Sequence, residues 1–166
     1  MSRIRQILVP IDFSGSADLA LEYAADLARR YSAELHLVHV LEDPILIGGS
    51  ADGFIIDPPG LRARMAEDAR RLLEQTLERC TRPHVRATRE VVFGKTAASI
   101  NDLALARRSD LIVMGTHGRS GLAHLMLGSV AERVVRSAPC PVLTVRATLP
   151  QAVSNLMLVE PAVVGA

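Results

Sequence analysis

Residues 115–129 read GTHGRSGLAHLMLGS, with glycine at Gly115, Gly118, Gly121 and Gly128. The run before it, DLIVMG (Asp110–Gly115), is the most uniformly apolar in the chain and reads as a buried strand. The run after it, SVAERVVRSA, reads as a helix opening at Ser129. A packed core gains nothing from so many glycines, since each costs about 1 kcal/mol relative to Ala inside a helix. A ligand gains a great deal. Glycine lets it reach the main chain with no Cβ in the way. A helix N-terminus offers unsatisfied N–H groups and a positive dipole end that attract anions.

The rest of the chain repeats the strand-then-helix order. ILVPI (Ile7–Ile11) is a short apolar run ending at Asp12. SGSADLALEYAADLARRY follows with Leu19, Ala20, Tyr23, Ala24, Leu27, Ala28 and Tyr31 at helical spacing. Ser14 or Ser16 can cap that helix, and Asp18 suits its first turn. ELHLVHV (Glu34–Val40) predicts a second strand, LRARMAEDARRLLEQTLERC a second helix, and VRATREVVFG a third strand. In the second helix Leu61, Met65, Ala69, Leu72, Leu73, Leu77 and Cys80 form the apolar side. Thr96 is the expected cap of a third helix reaching Arg108, and VLTV after Pro139-Cys140-Pro141 is a fifth strand.

Alternation of this kind predicts an α/β fold of three layers, with helices on both faces of a five-stranded parallel sheet. With strand order 3-2-1-4-5, strands one and four are neighbours. The crevice at their carboxyl ends is where open α/β sheets bind ligands, and Asp12 and Gly115 both face it. Residues 41–60 are rich in Gly, Pro and Asp and too long for an ordinary connection, as lids and binding segments often are.

Composition narrows the function classes. The chain has 166 residues, 49% hydrophobic and 22% charged, a balance that fits one globular domain. A formal net charge of +1 argues against a broad surface for nucleic acid or anionic membrane. No run approaches the ~20 apolar residues of a membrane span, and Pro10 and Asp12 break the first apolar run too early for a signal sequence. A cytoplasmic location is expected. Cys80 and Cys140, with no CxxC, predict reduced, partly buried thiols.

The spacing G-x2-G-x9-G-S (Gly115, Gly118, Gly128, Ser129), with VPIDFS, HLVHV and SAPCPVLTV around it, resembles the ATP-binding branch of the universal stress protein family. The likeness covers roughly residues 3 to 147. It implies an adenine nucleotide alpha hydrolase-like fold that binds ATP, commonly as a homodimer joined through the last strand. Carried over residue by residue, it implies Pro10, Ile11 and Asp12 on the adenosine side, with Val40 from the end of strand two. Met114 and Gly115 abut the nucleotide, and His117 and Gly118 lie along the phosphates. Gly128, Ser129 and Val130 supply N–H groups. Asp12, a like charge to phosphate, accepts from ribose or adenine, or reaches a nucleotide-bound Mg²⁺. A polar strand terminus or helix-entry cap is its structural alternative. Residues 1–147 then form the family domain, and 148–166 an apolar C-terminal extension that is either a tail or an oligomer contact.

Other signals lead nowhere. FGKT at Phe93–Thr96 lacks the P-loop's first glycine, because Arg89 stands there. SGSADL departs from the pyrophosphate loop of adenylating enzymes at Ser16 and Leu19. His36 and His39 point to opposite faces of a strand, so they cannot share a metal and read as structural. Three functions stay open: a nucleotide-responsive stress or signalling module, a slow or partner-dependent ATPase, and an interaction protein whose nucleotide is incidental. No protein partner is implied by name.

Overall fold

Strand β1 (Gln6–Pro10) turns Ile7 and Val9 to one side of a sheet and Leu8 to the other, and all three are fully buried. Burial on both faces is what a central parallel strand requires. The computed structural model describes residues 4–42, 60–80, 85–116 and 127–146. Its further elements are α1 (Gly15–Tyr31), β2 (Glu34–Leu41), α2 (Leu61–Cys80) and β3 (Ala87–Phe93). They are followed by α3 (Thr96–Ala106), β4 (Leu111–Gly115), α4 (Ser129–Ser137) and β5 (Val142–Val145). The sheet is parallel throughout, in the order β3-β2-β1-β4-β5. The expected fold class is therefore present, including the reversal of strand order beside β1.

Two apolar cores sandwich the sheet. On one face Ile7, Val9, Leu35, Leu37 and Val113 pack against α1 and against Leu73 of α2. On the other, Leu8, Val38, Ile112 and Met114 meet Ile100 and Ala104 of α3 and Ala131 and Val134 of α4. His36 lies within this second side but is fully partnered. Its Nδ1 is 2.6 Å from Thr88 Oγ1 and its Nε2 2.6 Å from Glu90 Oε1, and Arg107 pairs with the same carboxylate at 3.1 Å. His36 thus joins β2 to the edge strand β3, the structural role expected of it.

Helix α1 is rotated from the stripe that hydrophobicity alone selects. Its buried face consists of Ser16, Ala17, Ala20, Leu21, Ala24, Ala25 and Ala28, while Tyr23 is 53% exposed and Tyr31 45%. Alanine and serine bring the helix axis close to the sheet, where tyrosines would hold it off. In α2, likewise, Leu73 is buried and Leu72 is exposed. Ser14 is the N-cap of α1, its side chain accepting from Ala17 N, and Ser32 ends the helix in the left-handed region at φ 54°. Asp18 in the first turn pairs with Arg79 of α2 at 2.6 Å. Thr96 is not a cap. Lys95 occupies the N-cap of α3 without a capping side-chain bond, and that helix stops at Ala106.

Candidate functional site

The carboxyl ends of β1, β2 and β4 and the first turns of α3 and α4 enclose a cavity of about 550 Å³. Pro10, Ile11 and Asp12 line it from β1 and the turn that follows, and Val40 from β2. Met114 and Gly115 come from β4, and Gly128, Ser129 and Val130 from the start of α4. All the candidate site residues within the described part of the chain therefore share one cavity. His117 and Gly118 lie outside the described residues, as do 43–59, most of the expected lid, and the 148–166 extension. The chain leaves β4 at Thr116 and re-enters at Gly128, and Gly128 N donates to Thr116 O at 2.8 Å. That bond joins the two described ends of the glycine-rich segment, and it commits the Gly128 N–H, expected to face the nucleotide, to the main chain instead.

Two helix N-termini border this space. Thr96, first residue of α3, and Ser129, first residue of α4, both line it. Neither N-cap residue, Lys95 or Gly128, makes a side-chain capping bond. Each helix start carries roughly half a positive charge, so together they favour an anion. The opposing charges are the carboxylates of Asp12 and Glu42, which line the β1 and β2 side.

Asp12 is held in place by its own turn. Its Oδ1 accepts from Ser14 N at 3.1 Å and from Ser14 Oγ at 2.6 Å. One oxygen is thus committed, and Ser14 also caps α1. The capping and polar-terminus roles weighed for this stretch divide between two residues: Ser14 caps, and Asp12 orients Ser14. Between them Phe13 sits at φ 63°, in the left-handed region. For a bulky residue this costs on the order of 1–3 kcal/mol and persists only where the surroundings enforce it. The His39 ring, 4.5 Å away and tilted by 42°, is one such support.

Gly115 has a packing reason that its motif position does not reveal. A Cβ there would lie 2.8 Å from Ser16 Oγ and 3.0 Å from both Ser16 Cβ and Ser16 C. The missing side chain admits the first turn of α1 against the end of β4.

Sequence reasoning missed several cavity residues. Val38, His39, Leu41, Glu42, Thr96 and Ile100 line it, as does Thr116. Most were findable, being neighbours of strand carboxyl ends. His39 reads as structural from the sequence because its spacing from His36 rules out a shared metal and nothing else in the sequence marks it. Among the described residues no group of three or more His, Cys, Asp or Glu is placed to hold a metal ion. No described helix is long and apolar enough to cross a membrane.

A doubly wound parallel sheet with a cavity at its switch point places the chain in the class of open α/β folds, in which that crevice is the usual ligand position. Within that class the chain belongs to the universal stress protein family, whose model matches residues 3–146. Universal stress protein MJ0531 of Methanocaldococcus jannaschii is 32% identical over 142 residues, 86% of this chain and 82% of that one. The solved structure of MJ0577, from the same organism, superposes with a TM-score of 0.75 at 27% identity, covering 89% of this chain and 99% of that one. A universal stress protein in complex with cAMP shares the fold at 22% identity and a TM-score of 0.61, with coverages of 89% and 100%. An Archaeoglobus fulgidus member in complex with dAMP does so at 22% identity and 0.54, with coverages of 87% and 99%.

Proposed function

We propose that this chain binds an adenine nucleotide, ATP first among them, in the cavity at the ends of β1, β2 and β4, and acts as a cytoplasmic nucleotide-responsive stress or signalling module. One observation carries the proposal: the motif residues Gly115, Gly128, Ser129 and Val130 share a single cavity with Asp12 and Val40, at the N-terminus of α4. Family members of this fold bound to cAMP and dAMP agree with it.

In this reading the main-chain N–H groups of Ser129 and Val130, with the Ser129 hydroxyl, hold phosphate oxygens, as helix N-termini do. His117 and Gly118 lie along the phosphates. The apolar walls, Pro10, Ile11, Val40 and Met114, take the adenosine. Asp12 accepts from ribose or adenine through the oxygen that Ser14 leaves, and any Mg²⁺ arrives with the nucleotide. Residues 1–147 act as the family domain and 148–166 as an extension to it.

The test is direct. Freshly purified protein is denatured, the released small molecules are separated, and refreshed protein is titrated with ATP with and without Mg²⁺. Stoichiometric adenine nucleotide, or binding near the micromolar range (about −8 kcal/mol), is expected. The absence of both bound nucleotide and measurable binding would refute the proposal.

A further inference from the structure

We infer that His39 is a positioning residue for this site, fixing the Ile11–Asp12 peptide and through it the Asp12 carboxylate; the inference rests on the nucleotide reading above. Strand alternation puts His39 on the same face as Leu35 and Leu37, where an apolar side chain is expected. The imidazole is there for a specific bond. Its Nδ1 lies 2.7 Å from Ile11 O. A carbonyl oxygen only accepts, so Nδ1 carries the proton and the tautomer is set.

The bond falls where the ladder between β1 and β2 ends. Ile11 N still donates to Val38 O at 2.8 Å. At the other end of the same residue, Ile11 O is taken by the His39 side chain. This carbonyl belongs to the peptide that joins Ile11 to Asp12, so its orientation sets the direction in which the Asp12 backbone leaves the strand. The same ring packs on Phe13, the residue held in the left-handed region. From the other side Ser14 grips Asp12 Oδ1. The turn Ile11–Ser14 is thus clamped at both ends, and His39, Ile11 and Asp12 all line the cavity. Replacing His39 by a residue of similar bulk without a donor leaves Ile11 O unpaired and frees the turn.

ATP is titrated into wild type, His39→Leu, His39→Asn, Asp12→Ala and the Asp12→Ala/His39→Leu double variant, with a melting curve for each. His39→Leu is expected to fold and to bind about tenfold more weakly. Asn carries its amide nitrogen on Cγ, as His carries Nδ1, so His39→Asn recovers most of the affinity. In the Asp12→Ala background the His39 substitution has no further effect, which a merely structural role would not produce. Unchanged affinity in His39→Leu, an Asn variant as weak as Leu, or an undiminished loss without Asp12 each overturns the inference. If His39→Leu fails to fold, His39→Asn decides alone, retained affinity supporting the inference and tenfold loss sinking it. A wild type that binds no nucleotide removes the reading beneath it and this inference together.

Discussion

Gly115 and Ser16 touch where the end of β4 meets the first turn of α1, so closely that a methyl group on Gly115 would sit 2.8 Å from Ser16 Oγ. Helix α1 can approach because its buried face is almost all alanine and serine. The contact places that turn, and with it Ser14 and Asp12, over the switch point of the sheet. The first glycine of the motif therefore shapes the site by fixing a helix as well as by leaving room for a ligand.

Gly115→Ala should destabilise the fold by about 1–3 kcal/mol, the usual penalty for overpacking. One of the three close atoms is the Ser16 main-chain carbon, which cannot swing away. Adding Ser16→Gly removes the other two and should restore part of the loss. Urea denaturation of the three variants measures this, and an additive pair would show that the two residues do not meet.

Much of this arrangement is legible in the sequence, and the failures share a cause. Parallel sense and the three layers follow from apolar runs alternating with amphipathic ones; the order 3-2-1-4-5, on which the shared cavity depends, does not, and is what the family resemblance implies. The rotation of α1 does not follow either, because hydrophobicity ranks Tyr23 and Tyr31 above Ala17 and Ala25, whereas close packing on a sheet selects by size. Residue preference favours Thr96 as the N-cap of α3, yet Lys95 occupies it without a side-chain bond. Thr96 sits inside the first turn and lines the cavity instead. His39 was invisible because its partner, a main-chain carbonyl in the β1–α1 turn, leaves no mark on composition or spacing.

Ser14→Ala removes the α1 cap together with the hydroxyl's bonds to Asp12 Oδ1 and Ser16 Oγ in a single step. Loss of an N-cap costs about 0.5–2 kcal/mol. Asp12 Oδ1 keeps only its bond from the main-chain N of residue 14. Stability should fall within that range, and nucleotide affinity should fall with it as the carboxylate loosens. If calorimetry finds the affinity intact, Asp12 is oriented by something other than Ser14.

Strand β5 is at one edge of the sheet, and Leu143 on it is 38% exposed. Among the described residues no strand lies beyond β5, and an edge with an apolar side chain is a pairing surface; the homodimer expected through the last strand is proposed to use it. Sedimentation should give a dimer, and Leu143→Arg should shift it toward monomer. A monomeric wild type would remove this edge from consideration.

Cys140, in the turn before β5, is free and half-buried. Burial pushes its thiol pKa up, and the nearby Asp110 charge adds to this, against a smaller opposing effect of a main-chain hydrogen bond with Ile112. The thiolate is therefore scarce at neutral pH, and alkylation should be slower than for an unfolded thiol, rising only at alkaline pH. The folded pKa exceeds the unfolded one. The associated stability is thus complete below the unfolded value and is lost as pH climbs through the folded value. Alkylation rates against pH, native and denatured, check this; a native thiol as fast as the denatured one at neutral pH would contradict it.

Ser129→Glu separates the two roles of the α4 N-terminus. A carboxylate at the first helical position complements the dipole and should leave stability unchanged or raise it by about 0.3–1 kcal/mol. The same charge, placed in the cavity where phosphate is proposed to sit, repels an anionic ligand and removes the Ser129 hydroxyl. Affinity for ATP should drop by more than about tenfold (1.4 kcal/mol or greater), while the melting temperature holds or rises. Adenosine, which lacks phosphate, should lose far less. Equal losses for ATP and adenosine would mean that this helix start does not receive the phosphates, and the α3 start beside Thr96 would then be the place to look for them.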